Sequence, residues 1–278
     1  MLSPPAWLKG LFAVLPTPMV AGGGLDLDSL DRVVDYYLEG GASGLVPVSV
    51  AGEGDLLDET ERRYVMQRVV LRARGRVPVI AGILADGLEA AGAQVEGAAQ
   101  CGVDGLLAKP SGDGPQAIVE HFRAIGRSAG LPIVLLDYPP ATPPLPVELI
   151  ALMAECIPEV AGIKLEDQPT EAKMARLRAA VGQRMRIFGG LSGAFGLREL
   201  EHGADGFFTG CPQPELLVQT MALFRDGDLA GAASAFESLR GVIERERQRP
   251  AAMIARRKTI LREMGVLRED ATRSRLSA

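Results

Sequence analysis

Eight short apolar runs, each followed by a stretch of helical periodicity, predict an α/β chain folded as a (β/α)8 TIM barrel with a C-terminal helical extension. Three helix-to-strand joints share one punctuation: Gly41-Ala42-Ser43-Gly44, Gly102-Val103-Asp104-Gly105 and Gly203-Ala204-Asp205-Gly206. It reads as a weak internal repeat of one βα unit, the first glycine ending a helix in the left-handed region and the second opening a strand. No Gly-x-Gly-x-x-Gly follows the first apolar run, which counts against an open dinucleotide-binding sheet. The barrel is assigned to residues 1–225 and the extension to residues 226–278.

The elements follow in order. Leu11 to Leu15 is a buried-strand run, and Leu30, Val33, Val34, Tyr37 and Leu38 mark one face of the helix after it. Asp28 is its expected N-cap and Gly40-Gly41 its end. Leu45 to Val50 is strand-like, and Asp58 with Glu61 resembles a capping box before a helix through Arg74. Six further pairs are expected: 77–83 with 88–100, 105–108 with 118–129, 132–138 with 146–157, 160–165 with 170–181, 186–191 with 194–202, and 206–209 with 215–224. Helices over 228–247 and 250–264 form the extension, jointed at Gly227-Asp228 and Pro250. They are read as a cap on the barrel or a surface for another subunit, without chemistry of their own. Arg256-Arg257-Lys258 is read as a solvated helix face.

Composition excludes several functions. A net charge of −5 and a pI near 5.3 argue against nucleic acid as a partner. Cys101, Cys156 and Cys211 are odd in number and widely spaced, so neither a disulfide framework nor a Cys-x-x-Cys metal site is expected. His121 and His202 are the only histidines, which rules out a His-rich metal centre. No stretch is long and apolar enough to span a membrane, and Met1 to Ala6 lacks the charged start and apolar core of a signal peptide. A soluble cytoplasmic protein is the expectation.

Barrel enzymes carry their chemistry at the C-terminal ends of the strands. The polar residues there are Thr17, Ser49, Glu53, Lys109, Ser111, Asp137, Tyr138, Lys164, Glu166, Asp167, Ser192 and Thr209. Lys164 is the most informative, because it lies inside the apolar run Val160-Ala161-Gly162-Ile163-Lys164-Leu165. Its ammonium must reach water, find a partner or lose its proton. Strand alternation puts Gly162 and Lys164 on one face and Ala161, Ile163 and Leu165 on the other. The apolar face suits packing against helices, so Lys164 should point into the barrel mouth. Tyr138 sits at similar height on the neighbouring strand. A desolvated lysine attacks ketone carbon, and a nearby phenol can shuttle the proton of the reacting oxygen. A cation site for a carboxylate or phosphate, or a plain ion pair with Glu166 or Asp167, remains open at this point.

With these residues placed, the chain resembles the dihydrodipicolinate synthase / N-acetylneuraminate lyase family of class I aldolases, from about residue 10 to 224 and on into the tail. The matching pieces, in order, are Thr17-Pro18, Gly52-Glu53, Tyr138 and Gly162-Ile163-Lys164. The resemblance implies a pyruvate-type imine on Lys164 with Tyr138 as proton relay. It implies a 2-oxo acid substrate with an aldehyde as candidate partner, no cofactor, and a homo-oligomer, dimer or tetramer. Substrate contacts are expected from Thr17, Ser49, Val50, Ala51, Gly189, Gly190 and Thr209.

The departures matter. Val50 and Ala51 stand where the family carries two threonines that hold the pyruvate carboxylate and extend the relay; Ser49, Thr17 or backbone N–H groups would have to replace them. Pro139 to Pro144 lacks the arginine that the family's synthases use for a second carboxylate, and Pro110-Ser111-Gly112 replaces their tyrosine pair. These changes argue against dihydrodipicolinate synthesis, and Lys109 is a candidate replacement cation. Glu53 is read as a carboxylate bracing its loop. The alternatives are a dehydratase on a keto-deoxy sugar acid by the same imine, a non-catalytic binder of 2-oxo acids, and a phosphate site at Gly189 to Gly193.

Overall fold

The computed structural model describes residues 3–139, 144–247 and 252–273. Eight parallel strands form the barrel: β1 (Gly10–Val14), β2 (Gly44–Val46), β3 (Ile80–Ile83), β4 (Gly105–Ala108), β5 (Ile133–Asp137), β6 (Val160–Leu165), β7 (Arg186–Gly189) and β8 (Gly206–Thr209). Eight helices alternate with them: α1 (Leu27–Glu39), α2 (Glu59–Ala73), α3 (Leu88–Gln100), α4 (Pro115–Ala129), α5 (Val147–Cys156), α6 (Thr170–Val181), α7 (Gly196–Glu201) and α8 (Pro214–Arg225). The extension adds α9 (Leu229–Arg247) and α10 (Met253–Glu263). Strand order is β2-β1-β8-β7-β6-β5-β4-β3, and a parallel bridge between Leu45 and Val79 joins the two ends. This is the predicted (β/α)8 barrel with C-terminal helices.

Local signals mostly act as expected. Gly41, Gly102 and Gly203 have φ of +83°, +77° and +94°, which a side chain would strain, and Gly44, Gly105 and Gly206 open β2, β4 and β8. Asp58 accepts from the Glu61 N–H at 2.9 Å while Glu61 accepts from the Asp58 N–H at 3.1 Å, completing the capping box. The N-cap of α1, however, is Asp26 rather than Asp28. Its carboxylate accepts from the Ser29 N–H at 3.0 Å, and the antiparallel bridge between Met19 and Leu25 sets where the chain enters the helix. β2 stops at Val46 because Pro47 has no N–H, and the chain then turns through a short 3-10 segment, Val50–Gly52.

Two apolar layers build the core. Inside the barrel, Phe12 stacks on Phe208 with centroids 4.6 Å apart, and Phe188 meets the Phe208 ring edge-on at 4.7 Å. Leu8, Leu107, Leu136 and Ile80 complete this plug. Outside, Ile163 and Leu165 join the larger layer between strands and helices, as the strand phase predicts. Ala161 does not. It belongs to the interior cluster, because the register between β5 and β6 shifts at Ile133/Val134 and offsets the start of β6.

The extension is not a loose appendage. α9 buries Leu239 and Ile243 against Phe207 and Leu217, and α10 buries Leu261 in the outer layer. The expected solvated face is overturned: Arg257 is 2% exposed and Lys258 fully buried. Arg257 pairs with Glu246 of α9, and Lys258 with Glu53 of the loop after β2. A basic run stays buried only where carboxylates meet it, and those come from elements distant in sequence. The joint expected at Pro250 lies outside the described residues.

Candidate active site

β6 carries Lys164 between Leu136 of β5 and Phe188 of β7, both members of the interior cluster. Neighbours in parallel register face the same way, so Lys164 stands above the aromatic plug at the mouth. It is 8% exposed, and its Nζ lies 3.1 Å from Glu166 Oε2. The other oxygen of Glu166 accepts from the Leu191 N–H at 2.7 Å. The carboxylate is thereby held between the amine and the turn after β7.

A cavity of about 290 Å³ surrounds the lysine. Ser49, Val50, Ala51, Tyr138 and Lys164 line it together, bringing five of the sequence-predicted residues to one place. Tyr138 is half-buried; burial raises its phenol above the ordinary value, and the Glu166 charge adds to this. It therefore stays protonated near neutral pH. The Ser49 hydroxyl is buried with no hydrogen-bond partner among the described residues. Two strained residues flank this loop, Val48 at φ +49° and Glu53 at φ +56°. Left-handed backbone is costly for a β-branched residue, so the surrounding structure must impose it.

The other predicted residues support rather than line the cavity. Thr17 donates its hydroxyl proton to Gly52 O at 2.5 Å, bracing the loop. Thr209 accepts from the Cys211 N–H at 3.2 Å. Gly190 makes room: a Cβ there would lie 2.4 Å from Glu166 Cγ. Gly189 does the same for Glu199, whose Oε2 would be 2.1 Å from such a Cβ. The N–H of Leu191 already holds the protein's own Glu166 carboxylate, which leaves a phosphate reading of this turn without support. Lys109 pairs with Asp86 at 2.9 Å and is absent from the cavity lining. Glu53 is the brace expected, pairing with Lys258 and accepting from the Arg273 N–H at 2.8 Å. The stretch 140–143, where the family's arginine would fall, is outside the described residues.

Sequence reasoning missed Leu107, Leu136, Gln168 and Leu191 of the lining, and two further groups. The first is Arg247, Met253 and Ile254, which come from the extension and line the cavity. No strand-end rule points to them. The second is Glu199 on α7, fully buried behind Gly189. Burial pushes its carboxyl up to about 7; neither oxygen completes a hydrogen bond of good geometry, and the nearby Thr170 hydroxyl offsets only part of the effect. A Glu at that position in an amphipathic stretch carries no mark of its burial. A second cleft opens outside the barrel beside α5 and α6, but its charged groups pair among themselves, Lys173 with Asp167 at 2.8 Å and Arg176 with Glu148 at 3.3 Å.

The model of the dihydrodipicolinate synthetase family matches residues 7–277. The chain belongs to this family. The 4-hydroxy-tetrahydrodipicolinate synthase of Sorangium cellulosum (strain So ce56) is 34% identical over 242 residues, 84% of this chain and 79% of that protein. The crystal structure of dihydrodipicolinate synthase from Rhodopseudomonas palustris superposes with a TM-score of 0.90 at 29% identity, covering 99% of this chain and 94% of that one. YagE, a prophage protein of the dihydrodipicolinic acid synthase family from E. coli K12 solved in complex with pyruvate, shares the fold at a TM-score of 0.90 and 23% identity, covering 98% of this chain and 93% of that one. Members of the dihydrodipicolinate synthetase family are class I aldolases and lyases, and this chain is an enzyme of that type. Among the described residues, no helix is long and apolar enough to cross a membrane.

Proposed function

We propose that the chain cleaves or forms a carbon–carbon bond next to a 2-oxo acid of the pyruvate type, through an imine on Lys164. The observation that carries this is the amine itself, inside a mostly apolar cavity with Glu166 Oε2 at 3.1 Å as its carboxylate partner. Glu166 takes the proton that the ammonium must shed before attack. The neutral amine adds to C2, and the carbinolamine loses water as Tyr138 donates a proton to the departing oxygen. The iminium then draws electrons from C3. In a 4-hydroxy-2-oxo acid the C3–C4 bond breaks, the hydroxyl proton passes to Tyr138, and an aldehyde leaves. Protonation of the enamine at C3 and hydrolysis of the imine return pyruvate and Lys164.

The pyruvate complex of the prophage relative supports the choice of oxo acid. Without the two threonine hydroxyls, the carboxylate would be held by the Ser49 hydroxyl and by the Val50 and Ala51 N–H groups, which start a 3-10 turn and so lack an acceptor within it. Thr17 is a poor substitute because its proton is engaged by Gly52 O. Gly189, Gly190 and Thr209 would act by shaping the mouth. The proposal includes a cytoplasmic homo-oligomer, dimer or tetramer, which light scattering on the purified chain would test.

Borohydride reduction in the presence of pyruvate should add the mass of a reduced pyruvyl group to Lys164. No gain with any 2-oxo acid in a panel sinks the proposal. The closed Lys164–Glu166 pair and the missing hydroxyls favour one other reading, an oxo-acid binder without turnover. Thermal stabilisation by oxo acids with no product across a broad panel would establish it. Loss of water without C–C cleavage would instead mark a dehydratase.

A further inference from the structure

The cavity that holds Lys164 must also take the rest of the substrate. Its walls are Leu107 and Leu136 from the strands, Leu191 from the turn after β7, and Met253 and Ile254 from the start of α10. Val50 and Ala51 continue the same surface on the loop side. Among the described residues, the polar side chains left after Lys164, Glu166, Tyr138 and Ser49 are Gln168 and Arg247. Arg247 lies over the Phe195 ring, 5.4 Å from its centroid, so the ring already faces its charge. A polyhydroxylated chain placed here would bring most of its hydroxyls against carbon, and those beyond reach of Gln168 and Arg247 lose hydrogen bonds to water that these walls do not replace. An alkyl or aryl body loses nothing of the kind and gains by leaving water.

We propose that the aldehyde joined to or released from the oxo acid carries an apolar body, aryl or branched alkyl, and that α10 helps select it through Met253 and Ile254. This rests on the imine reading. The atoms balance as in any aldol addition: C3 of the enamine attacks the aldehyde carbon, the aldehyde oxygen takes a proton from Tyr138, and hydrolysis frees a 4-hydroxy-2-oxo acid.

The test uses the chain of 278 residues, pyruvate, and two aldehyde probes, benzaldehyde and glyceraldehyde, with product followed by mass spectrometry. A borohydride trap with pyruvate alone runs in parallel. Benzaldehyde should be favoured in kcat/KM by about 100-fold, the discrimination that an apolar pocket gives against added hydroxyls. Ile254→Asn and Met253→Gln should narrow that ratio by at least about tenfold while the pyruvate trap persists. A positive trap with glyceraldehyde equal or preferred overturns the inference and leaves the imine standing. A positive trap with condensation of neither aldehyde overturns it too. A negative trap removes the imine and the inference together.

Discussion

At the residue scale the site turns on how Glu166 is held. One oxygen faces Lys164 at 3.1 Å and the other accepts from the Leu191 N–H at 2.7 Å, with Gly190 leaving the space. Lys164→Ala should abolish both turnover and borohydride trapping while circular dichroism stays that of the wild type. Retained activity would remove the lysine from the chemistry. Gly190→Ala is a finer probe, since its Cβ would fall 2.4 Å from Glu166 Oε1 and the carboxylate must move. A displacement of that size should lower kcat by about 100-fold. Gly190 has φ −132° and ψ −132°, a conformation a side chain also strains, so circular dichroism and a urea midpoint on the variant separate loss of fold from loss of kcat. An unaltered kcat would show that Glu166 does not position the amine.

At the element scale, the loop after β2 and helix α10 form one unit. Lys258 and Glu53 are both buried and paired across a long stretch of chain, and Arg273 adds its own bond to Glu53 and a pair with Glu61. Removing one member of a buried pair strands the other charge, at about 3–5 kcal/mol. Lys258→Met should therefore lower stability by that amount in chemical denaturation. Because Ser49 to Ala51 sit on the same loop, it should also raise KM for pyruvate. Wild-type stability in the variant would show that the pair is not buried in solution. The sequence signalled the capping box of α2 correctly because both partners lie within one turn. It misplaced Arg257 and Lys258 because theirs are carried by other elements.

At the scale of the whole molecule, stability should depend on pH through Glu199. Its folded carboxyl titrates at about 7, above the ordinary 4.5, so the folded state keeps a proton that the unfolded chain has released. The associated stability is fully present below about pH 4.5, declines as pH rises toward 7, and is flat beyond. The total is about 3 kcal/mol. Urea midpoints of the wild type and Glu199→Gln should thus diverge in favour of the variant between pH 5 and pH 7.5. Parallel curves would mean that Glu199 is ionised in the folded protein.

The amino-acid sequence alone determined the order of the eight βα units, the three glycine joints, the inward phase of Lys164 and its company with Tyr138. Each of these is a local matter: apolar periodicity, a positive φ, or two-residue alternation is written within a few residues of where it acts. Only the tertiary structure decided that Ala161 turns inward, that Thr17 braces while Ser49 faces the cavity, and that Glu166 closes on Lys164. The same holds for the wall that α9 and α10 supply to the mouth. Those outcomes depend on strand register and on side chains brought together from distant parts of the chain, which no local pattern records.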